Sequence, residues 1–314
     1  MRSVFSIILL VAGLLVGCDG EFTPATLITE PRVIGARAVV EGDATLAWPS
    51  AGDSVSVVFD VAFPAAAQPL SWALVGCPLA PSAFGAERCG GEPLGLGFAD
   101  GSVPQIDLMI PADVEDETSV LVTGVICFSG TPSTDLEVEP SEACVGGTGQ
   151  VVAFVLPVAT ADATNRHPEF SSELQLGGSP WMYDAESDVS DRGCASIEAA
   201  SLFSAASVLE DPEGSLFIEA SISPTSLEMY EAKRGDPPMT VTETEQVLLA
   251  NHSTAGTFEG RFAFFEDGDL NNQFGWEPPE EGVSADGQLV RFYFTLRDGR
   301  GGSALITRAL CLVP

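Results

Sequence analysis

A period of two in the apolar residues, repeated along most of the chain, restricts the fold more than any other feature. Val290, Phe292, Phe294 and Leu296 alternate with Arg291, Tyr293, Thr295 and Arg297, and Val55, Val57, Phe59, Val61 and Phe63 keep the same rhythm. Successive side chains of an extended strand point to opposite faces, so this pattern buries one face of a sheet. Ile106 to Ile110, Gln150 to Leu156 and Leu216 to Ile222 repeat it, and Val120 to Phe128 is the near-continuous apolar run of a central strand. Turn formers punctuate the strands at Pro78 to Pro81, Gly90-Gly91, Asp100-Gly101 and Gly130 to Pro140. Short strands at such intervals predict an all-β chain of antiparallel sandwiches. Only Ala195 to Leu209 has roughly helical spacing, and its serines equally suit an edge strand leading into Asp211-Pro212-Glu213-Gly214.

Apolar residues make up 45% of the chain and charged ones 18%, enough material for packed cores. The aperiodic polar segment 159–168, closed by Pro168, predicts a linker between two domains, 31–158 and 169–314. The formal charge of −32, with Lys233 the one lysine, leaves no basic footprint for nucleic acid. This acidity is read as a solubility feature. Beyond Cys18 lie Cys77, Cys89, Cys127, Cys144, Cys194 and Cys311, an even set. Six cysteines allow about 15 pairings, reduced to about three if bonds stay within the two domains. Cys194 with Cys311 then follows by elimination, and Cys77 with Cys89 and Cys127 with Cys144 are favoured because each closes a short loop. No CxxC pair is present, so thiolate metal binding is not expected.

Residues 1–18 carry Arg2, an apolar run from Val4 to Val16 and then Gly17-Cys18, with 1–17 the expected leader. A helix over that run is about 20 Å long, short of a bilayer core of roughly 30 Å, so it reads as a cleaved leader rather than a span. Leu15-Val16-Gly17-Cys18 resembles the bacterial lipobox. That resemblance implies a diacylglyceryl group on the Cys18 thiol, cleavage before it and acylation of the new amino terminus. Several acyl chains hold a protein firmly on a membrane, so the expected location is the bacterial cell envelope, lipid-anchored and periplasmic or surface-facing. Residues 18–30 are then expected to form a lipidated tether.

Ser71-Trp72, followed by the cysteine-bearing strand Val120 to Phe128, resembles the C and F strands of an immunoglobulin-like sandwich, although Val125 stands where such domains carry a tyrosine. Leu296 to Gly302 is similar to the turn before the last strand of bacterial Ig-like and cadherin-like modules, where Asp-Gly supplies the turn and glycines permit positive φ. Together with the lipobox this implies two Ig-like sandwiches in tandem on an acylated cysteine.

Candidate chemistry is sparse. Asp267, Asp269 and Asn271 place side-chain oxygens at every second position, a spacing by which a loop can wrap calcium, though the same residues build ordinary turns. Trp276, beside this acidic loop, is the candidate for stacking on a sugar ring. His167 and His252 have no sequence partner and read as surface residues, and no Gly-x-Ser-x-Gly elbow occurs. The reading is a non-catalytic envelope lipoprotein that binds, adheres or acts as a scaffold, needs no cofactor, and meets the membrane through its lipid and an envelope protein or glycan through its loops. The alternative is a hydrolase of envelope polysaccharide using carboxylates in a cleft between the domains.

Overall fold

The computed structural model describes residues 24–80, 87–113, 119–133, 142–160, 163–182, 194, 202–204, 214–235, 237–279, 283 and 285–314. They are nearly all strand. The first half runs through β1 (Arg32–Val40), β2 (Ser54–Ala62), β3 (Leu70–Pro78), β4 (Gly95–Gly101), β5 (Gln105–Met109), β6 (Ser119–Cys127), β7 (Thr131–Pro132), β8 (Cys144–Val145) and β9 (Gly149–Pro157). Two antiparallel sheets, in the orders β1-β2-β5 and β4-β3-β6-β9, face each other, and β7 and β8 form a small separate pair. The chain crosses between the sheets after β2, β4 and β5, so β3 and β6, the strands likened to C and F, lie side by side with Trp72 opposite Ile126. Val55, Val57, Phe59 and Val61 supply one wall of the core, and Leu70, Trp72, Leu74, Val120, Val122 and Ile126 the other. Trp72 is buried there because its indole N–H finds the Gln105 carbonyl at 3.0 Å.

The second half runs through β10 (Gln175–Leu176), β11 (Ser179–Pro180), β12 (Leu202–Ser204), β13 (Leu216–Ser221), β14 (Met229–Arg234), β15 (Met239–Thr244), β16 (Val247–Ser253), β17 (Thr257–Phe258), β18 (Phe262–Phe265), β19 (Asn271–Glu277), β20 (Gln288–Arg297) and β21 (Ser303–Val313). Its sheets have the orders β11-β10-β13-β19-β17 and β12-β21-β20-β16-β18, with β14 and β15 a separate hairpin. Phe292 and Phe294 from β20 meet Trp181, Phe258 and Trp276 edge-on, with centroids 5.0 to 6.3 Å apart. Each such pair contributes about 0.5–1.5 kcal/mol beyond its buried area.

Disulfides join Cys77 to Cys89, Cys127 to Cys144 and Cys194 to Cys311. Cys127 is therefore bonded within its own region of the chain and does not bridge the two sheets as the F-strand cysteine of an immunoglobulin domain does. Within Ala195 to Leu209 the described part, Leu202–Ser204, is strand and not helix: it lies parallel to Cys311–Val313 at a sheet edge. The rest of that stretch, with Asp211, Pro212 and Glu213, falls outside the described residues, as do the leader and Cys18. Among the described residues no helix is long and apolar enough to cross a membrane.

Two connecting segments differ from expectation. Thr26 and Ile28, assigned to a free tether, are 6% and 1% exposed, and the Ile28 amide donates to the Ser253 carbonyl at 2.8 Å. Ala159, Asn165 and His167 are stitched along Thr45 to Pro49, with the Ala159 amide on the Pro49 carbonyl, the Ala47 amide on the Asn165 carbonyl and the His167 amide on the Thr45 carbonyl. Both segments carry unpaired backbone groups that would be costly to bury alone, and each satisfies them on a neighbouring chain.

Candidate functional site

Several of the buried charged and titratable side chains, among them Asp60, Glu245 and Asp298, gather where the two halves meet. The joint exists because the second face of β20 is not solvated. Tyr293 is 2% and Thr295 0% exposed, and the starts of β1 and the end of β2 lie against them. Ile28, Ile34, Ala62 and Tyr293 form a small apolar cluster, with Leu305 packed at its side. The Tyr293 hydroxyl donates to the Phe63 carbonyl at 2.9 Å and accepts from the Phe63 amide at 3.0 Å. Arg297, at the end of β20, donates to the Ile34 carbonyl.

The turn after β20 organises the next part of the joint. Asp298 Oδ1 accepts from the amides of Arg300 and Gly302 at 2.7 and 2.9 Å, while Oδ2 accepts from Asn165 Nδ2 at 2.8 Å. Gly299 and Gly301 have φ of 77° and 104°, values an L side chain resists. At Gly302 a Cβ would sit 2.0 Å from Asp298 Oδ2, so only glycine lets the carboxylate close over the turn. The sequence likeness at Leu296 to Gly302 thus located a real turn, and the structure adds that its aspartate also holds the 159–168 segment.

Arg300 projects from this turn into a stack. Its guanidinium carbon lies 4.6 Å from the Trp48 ring centroid and 4.5 Å from that of Tyr230. Its amino groups donate to Glu245 Oε1 at 2.5 Å and to the Thr164 carbonyl at 2.8 Å, with Glu228 Oε2 at 3.8 Å. Glu228 and Glu245 stand at the base of the β14–β15 hairpin, joined by the Glu245 amide on the Glu228 carbonyl. A cavity of about 640 Å³ opens here, lined by Trp48, Thr164, Glu228, Met229, Tyr230 and Arg300. The Glu245 side chain is 1% exposed, and burial pushes its carboxyl up to about 7, with the Asp298 charge adding to the rise and Arg300 opposing it. It stands behind the arginine, out of reach of a molecule in the cavity.

Both histidines belong to the joint and are not ordinary surface residues. His167 Nδ1 accepts from the Ser303 amide at 3.0 Å, so Nε2 carries the proton it donates to the Ala38 carbonyl at 2.7 Å. Burial lowers its pKa, partly offset by that carbonyl and by Asp298. His252 lies 3.0 Å from an Arg32 nitrogen, and burial, with the Arg32 and Arg297 charges, lowers it to about 4. Asp60 pairs with Arg37, yet burial still raises its pKa, and its Oδ2 has no partner among the described residues.

The residues singled out from sequence fare unevenly. Trp276 is 0% exposed, donates to the Ala255 carbonyl at 3.1 Å and packs edge-on against Phe292, so its ring cannot stack on a sugar. Asp267-Gly268 is the tip of a tight turn in which the backbones of Glu266 and Asp269 pair, with Gly268 at φ 85°. Asn271 is engaged by the Ser221 hydroxyl at 2.6 Å. Among the described residues no three His, Cys, Asp or Glu side chains converge as a metal would require. What sequence reasoning missed is the joint itself; Tyr293 and Thr295 on the polar face of the clearest strand, and an Arg-Asp-Gly-Arg turn after it, were its available signals.

No protein-family model and no curated protein matches the chain.

Proposed function

We propose that this is a lipid-anchored protein of the bacterial cell envelope with a non-catalytic binding, adhesion or scaffold role. The observation that carries the reading is how the joint spends its polar groups. Tyr293, Asp298 and Arg300 all bond across it, so the region where a two-domain hydrolase would open its cleft is committed to holding the halves in one arrangement. Three disulfides in a chain with an apolar leader fit export to an oxidising compartment. The Leu15-Val16-Gly17-Cys18 tetrad supplies the anchor.

Replacing the anchor residue tests the reading: Cys18→Ser protein should move from the membrane fraction to the soluble fraction. The mature native protein should begin at residue 18 and carry the mass of its acyl chains. Membrane association that survives Cys18→Ser, or a mature amino terminus without fatty chains, refutes the anchor.

Glu228 lines the cavity at the joint, and it is the carboxylate on which the hydrolase alternative rests. If that reading holds, purified protein cleaves envelope polysaccharide and Glu228→Gln abolishes the cleavage. Absence of cleavage by the wild type leaves the scaffold reading in place.

A further inference from the structure

β18 is the open edge of its five-stranded sheet. Ala263 and Phe265 turn toward the core, while Phe262 and Phe264 turn outward, 55% and 42% exposed, with ring centroids 5.4 Å apart and edge-on to each other. Their neighbours across the strand pair are Ala250 and Leu248, which extends the apolar surface inward. A bare edge bearing two phenylalanines is a liability in water that natural sheets cover or charge. Exposed charges flank the strand at both ends, Arg261 before it and Glu266 and Asp267 after it.

The described chain begins beside this edge. Strand β16 bonds to β18 as far as Asn251, whose amide donates to the Arg261 carbonyl, and two residues on the Ser253 amide donates to the Thr26 carbonyl. Phe262 stands opposite Ala250 and Leu27 opposite Ser253, so the two points are three residues, about 10 Å, apart along one strand. Six residues separate Cys18 from Pro24, a reach of at most about 20 Å. With the Pro24–Leu27 turn and the step across to β18 added, an acylated Cys18 lies within roughly 40 Å of the Phe262 and Phe264 rings. The anchor leaves the molecule beside its joint and not from a distant end.

We propose that Phe262 and Phe264 form a membrane-contact patch, seated in the interfacial layer of the bilayer that carries the Cys18 acyl chains, so that the second sandwich rests on lipid. The proposal rests on the lipoprotein reading. Aromatic and aliphatic side chains on one face, with a cation at the rim, match the chemistry of a phospholipid interface. The outward backbone of β18, where the Phe264 carbonyl accepts from Asn272 Nδ2 at 3.4 Å, then faces headgroups.

The test uses the full mature protein with its native amino terminus, in vesicles of phosphatidylcholine and phosphatidylglycerol, with and without bromine on the acyl chains. Trp72, Trp181 and Trp276 are buried and Trp48 is half-buried under Arg300, so the unsubstituted protein is measured in parallel and its emission and quenching are subtracted. In Phe262→Trp, the added emission should shift to the blue on reconstitution and lose about half its intensity to bromolipid, as a ring some 5–10 Å deep would. In Met109→Trp, at the end of β5 opposite Ser54 and away from the joint, the added emission should do neither. An acylated protein whose Phe262→Trp signal ignores bromolipid overturns the patch and leaves the anchor standing. Equal quenching at both positions overturns it as well. A blue shift in detergent that grows with protein concentration shows instead that a second copy covers the edge. A mature chain of unacylated mass removes the anchor, and the patch with it.

Discussion

Asp298 is one side chain that accepts from three donors: two backbone amides of its own turn and the side-chain amide of Asn165. Hydrogen bonds to a carboxylate contribute more than neutral ones, and a buried donor left unpaired costs its full desolvation. Asp298→Ala should therefore lower stability by about 3 kcal/mol in urea titration, with Asp298→Asn losing less because it keeps the shape and one acceptor. Glu245 and His252 pull stability in opposite directions with pH. Glu245 binds its proton more tightly folded than unfolded, so its contribution is full below its usual 4.5 and is lost as pH rises through about 7. His252 is held neutral, so its contribution is full above its usual 6.5 and is lost as pH falls through about 4. Asp60, raised, adds to the first trend, and His167, lowered, to the second. The two trends oppose each other in the wild type. Glu245→Gln should uncover a urea midpoint that climbs from pH 4 to 7, and His252→Gln one that declines over the same range.

At the scale of elements, the disulfides differ in what they constrain. Cys77–Cys89 and Cys127–Cys144 span 12 and 17 residues, whereas Cys194–Cys311 spans 117. Loop-closure entropy in the unfolded chain assigns about 3 kcal/mol to each short link and about 5 kcal/mol to the long one. Paired cysteine-to-alanine variants should follow that order in urea midpoint, and equal losses would mean that local packing and not loop closure sets the effect. Pairing by proximity in sequence succeeded for the short links because each closes near one strand end. β20 shows the limit of reading strands. Its alternation correctly marked Val290, Phe292, Phe294 and Leu296 as core, yet Tyr293, Thr295 and Arg291 are buried too. A polar residue next to an apolar one says that two faces differ; it does not say that the polar one is wet.

For the whole molecule, the joint couples the halves through Tyr293 on the Phe63 backbone and Arg300 between Trp48 and Tyr230. Coupled halves unfold together, and uncoupled ones need not. The wild type is expected to give one calorimetric transition. Tyr293→Phe, which strips both bonds from Phe63 at a cost of about 2 kcal/mol, combined with Arg300→Ala should separate it into two. A single transition in the double variant would place the coupling in Ile28, Ile34 and Ala62 instead. Trp276 belongs at this scale as well: next to an acidic loop in sequence, it faces inward because β19 pairs with β13 and β17 inside a sheet, and Phe258 stands opposite it.

The amino-acid sequence alone determined that the chain is nearly all β, one core-facing side of its clearest strands, and which short cysteine pairings are favoured, because period-two alternation, turn residues and short loop closures are local properties. Tertiary structure alone decided that the polar face of β20, both histidines, the 26–28 segment and Asn165 are brought together at one joint, and that Trp276 is core while Phe262 and Phe264 are not. Those outcomes depend on which surfaces are laid against each other by residues more than a hundred positions apart, such as Phe63 and Tyr293, and no local pattern records that choice.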